Sequence, residues 1–179
     1  MGNVRLYGST SGYTELAPPA VAGDNVLTLP SGTGTLATTA DVGGKILQVV
    51  MGSTSTVVVS SSSTYADTGL EATITPTSAT SKILVLVSQN GIEKRTNNTY
   101  LGIRLLRGET GILSLGNVAY NVGTTPNNIG GLPISYLDSP ATTSAVTYKT
   151  EFNSLLNLEN TFVQQASSTS TIILMEVGA

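Results

Sequence analysis

The chain has 179 residues, 40% of them hydrophobic and only 11% charged, with a formal net charge of −3 and neither Cys, His nor Trp. Lacking His and Cys, it excludes a Ser-His-Asp triad, a thiolate nucleophile, haem or iron–sulfur ligation, zinc bound by its usual ligands and a disulfide framework. Charge is less than half the share of about 25% usual in soluble domains, which points to function in surfaces and to faces covered by neighbours.

The first 41 residues form one segment by composition. Very short apolar pieces alternate with turn residues: Val4-Arg5-Leu6-Tyr7, Tyr13-Thr14-Glu15-Leu16, Asn25-Val26-Leu27-Thr28-Leu29-Pro30. Pieces of that length cannot form a stable sheet alone, because an isolated hairpin is marginal. The expectation is an extended N-terminal arm, residues 1–41, that orders by packing on a partner. Its anchors are Leu6, Tyr7, Tyr13, Leu16, Leu27 and Leu29. The start has no apolar h-region of a secretory signal, and Leu6 stands where myristoylation needs Ser or Thr.

From residue 42 to 179 the pattern becomes that of longer strands, expected at 45–51, 56–60, 70–75, 83–87, 100–106, 112–120, 132–137, 145–152, 161–165 and 171–177. Ten segments at spacings of roughly ten residues predict an all-β, antiparallel, jelly-roll-like β-sandwich. Ile83-Leu84-Val85-Leu86-Val87 is apolar on both faces, so a central strand with protein on each side is expected there. Ile172-Ile173-Leu174-Met175 is apolar on both faces near the C-terminus, where edge strands usually carry charge or Pro. It is expected to pair with 45–51 as last strand to first, or to meet a neighbouring subunit with its outer face, as in a homotrimer packed round a three-fold axis.

The densest basic group, Lys94-Arg95 with Arg104 and Arg107, is too sparse for a nucleic-acid footprint, and its members read as solvated strand or loop charges. No apolar run nears the roughly 18 residues that span a bilayer. Asp138, Glu151 and Glu159 are the acids a paired-carboxylate hydrolase would use, but their spacing is not diagnostic and they read as surface charges. Gly43-Gly44-Lys45 lacks the Ser or Thr and the upstream glycine spacing of a phosphate loop, and Asp24, Asn25 and Asp41 lack calcium-loop spacing. No enzyme activity, cofactor or metal is expected. Asn97, Asn98, Tyr100, Asn127 and Asn128 would give loops amide groups and flat aromatic surface suited to uncharged sugars, though Asn is also what tight turns demand.

Gly8-Ser9-Thr10-Ser11-Gly12-Tyr13-Thr14-Glu15-Leu16-Ala17-Pro18 resembles the short motif preceding C-terminal domains in tail-fibre-like and other virion proteins of tailed bacteriophages, cyanophages among them. Ser63-Thr64-Tyr65-Ala66-Asp67-Thr68-Gly69-Leu70 and Ser170-Thr171-Ile172-Ile173-Leu174-Met175-Glu176 resemble the jelly-roll heads of the same proteins. The resemblance implies a virion surface protein made in the host bacterial cytoplasm, either a trimer decorating the capsid or a trimeric fibre or knob that binds host surface glycans. One arm motif running straight into one head, without a shaft, favours the decoration (cement) plan, with the major capsid protein or another virion protein as partner. A short tail or head fibre is the alternative.

Overall fold

The computed structural model describes residues 4–7, 11–16, 45–95, 99–120, 127–156 and 158–178. The chain divides into two units, Met1–Thr38 and Thr39–Ala179. In the first, β1 (Val4–Tyr7) and β2 (Tyr13–Leu16) pair antiparallel, Val4 opposite Leu16 and Tyr7 opposite Tyr13. Leu6, Tyr7, Tyr13 and Leu16 therefore belong to a hairpin, of the kind that is marginal in isolation. Leu27 and Leu29 lie outside the described residues.

The second unit contains β3 (Ile46–Thr54), β4 (Val58–Ser60), β5 (Ala66–Ile74), β6 (Lys82–Lys94), β7 (Tyr100–Arg107), β8 (Thr110–Tyr120), β9 (Asn127–Asp138), β10 (Val146–Leu155), β11 (Thr161–Val163), a 3-10 turn at Gln165–Ser167, and β12 (Ser170–Val177). One antiparallel sheet runs β5-β10-β7-β8. The other is built on β6, with β9 along one edge from Ile83 to Lys94. Along its opposite edge lie first β12, from Thr171 opposite Ser88 to Val177 opposite Lys82, and then β11, with Thr161 opposite Lys94. β12 and β11 thus act as one interrupted strand. The next edge repeats the arrangement, because β3 follows β12 and β4 follows β11. Counting each interrupted pair as one strand leaves eight long strands in spatial order 1-8-3-6 and 2-7-4-5, first beside last, which is the jelly roll.

Alternation in the sequence builds the sandwich. On β5, Thr68, Leu70, Ala72 and Ile74 face inward while Gly69, Glu71 and Thr73 face out. Ile83, Val85 and Val87 on β6, Ile103 and Leu105 on β7, Tyr148 and Phe152 on β10, and Ile172 and Leu174 on β12 complete the core with them. A polar bridge crosses this interior. Thr150 Oγ1 donates to Gln89 Oε1 at 2.9 Å and lies 2.6 Å from Thr68 Oγ1, while Gln89 Nε2 donates to Ser170 Oγ at 3.2 Å. All four residues are buried, so the two sheets are joined by hydrogen bonds in a low-dielectric interior where a lost partner is costly.

The ten expected strands are all present, and β6 and β9 are much longer than expected. Ser88-Gln89-Asn90-Gly91 and Asn127-Asn128-Ile129-Gly130-Gly131 have turn-like composition, yet Asn90 pairs with Gly131, Ile92 with Ile129 and Lys94 with Asn127. A long partner strand overrides weak local propensity there. Gly91 stands at φ 59, and a Cβ on it would run into the backbone of Gln165, so the 3-10 turn sits directly on this glycine. The basic residues are also not free in solvent. Lys94 is buried, and burial lowers its pKa against the opposing pull of Glu159. Arg95 bonds Glu93 at 2.9 Å and lies 4.2 Å over Phe162. Arg104 donates to Glu151 at 2.5 and 2.8 Å and stacks 4.1 Å over Tyr65. Arg107 bonds Asp138 at 3.0 Å. Strands this apolar leave their few cations on partly covered faces, where pairing offsets desolvation.

Candidate interaction face

The two sheets turn very different outer faces outward. On the β5-β10-β7-β8 sheet the outer face is polar and cross-linked. Thr73 and Thr147 hydroxyls lie 2.7 Å apart, and Lys149 Nζ is 3.1 Å from Glu109, 3.7 Å from Glu151 and 4.0 Å from Asp67. The hydrogen bond to Glu109 raises the Lys149 pKa, burial opposes it, and the other acids add to it. This is a surface built for water.

The outer face of the β3-β12-β6-β9 sheet is bare. Along β12, buried Ile172, Leu174 and Glu176 alternate with Ile173, Met175 and Val177, which are only half-buried. On β6 the corresponding outward residues are Leu84 and Leu86. Register aligns these positions into rows across four strands: Met51, Ile173, Leu86, Ser135, and beside it Val49, Met175, Leu84, Leu137. Seven of these eight positions are apolar, and none is charged. Exposure is greatest at the edges, 57% for Val49 and 63% for Met51 on β3 and 52% for Leu137 on β9. Ile46 and Leu47 extend the band at one end, where the neighbouring charge in register is Lys82, opposite Val177. Scattered apolar residues are ordinary on a protein surface, whereas a contiguous apolar band is not. The expectation of a covered strand at 83–87 is met on the inner face, where Ile83, Val85 and Val87 are buried; on the outer face Leu84 and Leu86 are only half-buried, and the pairing of β12 with β3 is as expected.

β3 is pinned where it carries this band. Gly52 faces inward between Met51 and Ser53, and a Cβ there would overlap the backbone carbonyl oxygen of Glu71 on β5. At the other end of the strand, fully buried Glu176 accepts hydrogen bonds from Gln48 Nε2 at 2.6 Å, Thr77 N at 2.8 Å and Thr77 Oγ1 at 2.7 Å. Burial pushes the Glu176 carboxyl up, but these hydrogen bonds together outweigh it and hold the pKa at about 2. The carboxylate ties β12, β3 and the turn after β5 together.

The acids singled out in the sequence are built into the sandwich. Asp138 accepts from Tyr148 Oη at 2.6 Å and pairs with Arg107. Burial first, then this hydrogen bond, push the Tyr148 phenol above its ordinary pKa range. Glu151 is held by Arg104, and the backbone oxygen of Glu159 receives Ser154 Oγ at 2.6 Å. Among the described residues no cluster of three or more acids could hold a metal ion, and no helix is long and apolar enough to cross a membrane.

The residues proposed for sugar-binding loops are split. Asn97 and Asn98 fall outside the described residues. Tyr100 opens β7 opposite Leu155, and Asn127 and Asn128 open β9 opposite Lys94 and Glu93, so these three are strand residues. Asn128 borders a cleft of about 380 Å³ that Glu93, Gly130, Gln165 and Ala166 also line. Nothing local in the sequence singles out Val49, Met51 and Leu137 as the exposed apolar edges of the band. The two-faced apolar runs at 83–87 and 172–175 signalled the band, but only the register shows which side chains complete it.

No protein-family model matches the chain, and no curated protein matches it. Among solved structures it is similar to infectious bursal disease virus Gx strain, at 14% identity and a TM-score of 0.38, over 97% of this chain and 45% of that one. The Gt strain gives 15% and 0.36 over 97% and 46%, and the VP2 subviral particle of the same virus gives 9% and 0.34 over 93% and 47%. The chain spans less than half the length of each, and likeness of this degree decides neither family nor function; the fold assignment rests on strand order and register.

Proposed function

We propose that this chain is a non-enzymatic virion structural protein, and specifically a homotrimeric capsid decoration (cement) protein. In this reading the jelly-roll head is the rigid body of the trimer, and residues 1–41 of each copy are arms that bind and bridge subunits of the major capsid protein. The observation that carries it is the contrast between the two outer faces, one dressed with ion pairs and threonines, the other a bare apolar band that a free-standing domain would not leave open. The resemblance of 8–18, 63–70 and 170–176 to phage virion surface proteins supports the same reading.

Short pieces such as β1 and β2 suit attachment by strand addition, in which backbone groups supply affinity and alternate side chains specificity. Leu6, Leu16, Leu27 and Leu29 are the anchors. With one arm docked, the other two see an effective concentration of order millimolar, so weak single contacts add to slow release. The test is co-sedimentation with shells that lack the protein. The full chain should pellet with them, and a chain without residues 1–41 should keep its melting transition and stay in the supernatant. Specific adsorption of the full chain to host cells, with no binding to shells, would contradict the decoration reading and favour the second one, a short fibre that binds host glycans. The cleft beside Asn128 is the observation that favours that alternative.

A further inference from the structure

We infer that the bare outer face of the β3-β12-β6-β9 sheet is closed by further copies of this same chain, so that the face lies inside the trimer and not against the shell. The inference rests on the homotrimeric part of the reading above and assigns its contact surface.

Area is the first argument. With an exposed aliphatic side chain offering on the order of 100 Å² and a half-buried one less than half of that, the band from Ile46 to Leu137 presents roughly 600–700 Å² of apolar surface, above the 300–600 Å² patch of an ordinary monomer. In a ring that area is shared between two neighbours, so each contact is smaller than the roughly 800 Å² per partner of a standard interface, and closure, which holds every copy by two contacts, makes up the difference.

Charge is the second. The two central rows carry no acid or base. A partner of different composition would have nothing to complement or be steered by, whereas copies of the band meet without like-charge repulsion. Lys82 stands at one end only, outside the two rows.

Shape is the third. The band has two prominent edges, Val49 and Met51 on β3 and Leu137 on β9, with less exposed Ile173, Met175, Leu84 and Leu86 between them. Unlike edges suit a heterologous contact, in which the β3 edge of one copy meets the β9 edge of the next. Such a contact makes a closed ring if the rotation closes and a filament if it does not. A three-fold ring covers every β3 edge, which would otherwise be an open apolar strand available for aggregation.

Sedimentation equilibrium of the full chain at about 1 μM, where a stable interface is populated, is the test. Wild-type protein should have three times the 18.4 kDa mass of one chain. The double variant Val49→Lys with Met51→Lys should weaken association at least about a hundredfold and give single chains, since desolvated lysines oppose burial. Leu137→Lys should do the same from the opposite edge, and Thr73→Lys on the ion-paired sheet should leave the mass unchanged. Both face substitutions lie at exposed positions, and a melting transition within a few degrees of wild type verifies folding. A wild-type mass of one chain would overturn the inference. So would an oligomer that survives both face variants, which would leave the trimer standing with a different contact. An oligomer that the face variants dissociate and that never binds shells would support the inference and remove the decoration reading alone.

Discussion

Gly52→Ala is the sharpest test of how the bare face is held. Gly52 lies on the inner side of β3, opposite Ile172 and close against the backbone of β5, and an added Cβ would fall far inside van der Waals contact with the Glu71 carbonyl oxygen and 3.1 Å from Ile172 Cγ2. Neither obstacle is the free end of a flexible chain. To admit one methyl group, β3 must lift from β5 or tilt against β12, and overpacking of that kind costs about 1–3 kcal/mol; rigid backbone on the far side places this case at about 2–3 kcal/mol. At about 2–4 °C per kcal/mol for a chain of this length, the melting temperature should fall by roughly 4–12 °C. Gly116→Ala is the reference, because nothing lies within 4 Å of its Cβ, and it should change stability by less than about 0.5 kcal/mol. Protein concentration must be equal in all melts, since association adds to apparent stability. A Gly52→Ala protein that melts with the Gly116→Ala reference would refute the close approach of β3 to β5, and with it the placement of Val49 and Met51.

Glu176 should leave a signature in acid. Its folded pKa of about 2 lies below the ordinary 4.5, so its stabilisation is complete above pH 4.5 and is lost as pH falls from there toward 2. Glu176→Gln should flatten that part of a plot of melting temperature against pH and lower stability at neutral pH; an unchanged acid limb would contradict the hydrogen-bond set. Thr150→Val keeps the volume but strands Gln89 Oε1 and removes the contact with Thr68, and should cost about 1–3 kcal/mol in urea unfolding. Phe152→Ala, at a fully buried position, should cost about 3–5 kcal/mol, and a loss below about 1 kcal/mol would show a core packed otherwise.

Much of the head is legible in the sequence because its strands alternate cleanly. Leu70, Ala72 and Ile74, with Glu71 and Thr73 between them, announce β5 with its inner face, and the two-faced run at 172–175 announces a strand flanked on both edges. Where composition is turn-like the strands are hidden. The ladder from Asn127 to Gly131 against Asn90 to Lys94 depends on a partner 37 residues away in register, as Ile92 is from Ile129, which no local window contains. The charges mislead for a related reason. Arg104, Arg107, Asp138 and Glu151 are scattered in sequence and pair only because neighbouring strands and facing sheets bring them together. The bare face is intermediate: periodicity shows excess apolar residues, while register alone shows that Met51, Ile173 and Leu86 form one row beside Val49, Met175, Leu84 and Leu137.

Oxidation of Met51 tests most directly the central claim that this face is an assembly surface. In a single chain Met51 is 63% exposed, the greatest exposure among the large apolar residues of the band, so dilute peroxide should convert it readily to the sulfoxide. If copies of the chain cover the face, peptide mass spectrometry of the native full-length protein should find Met51 oxidised at least about tenfold more slowly than in the Leu137→Lys variant, whose face is open. Equal rates in the two proteins would mean that the face is open to solvent in the native state, and would contradict the account.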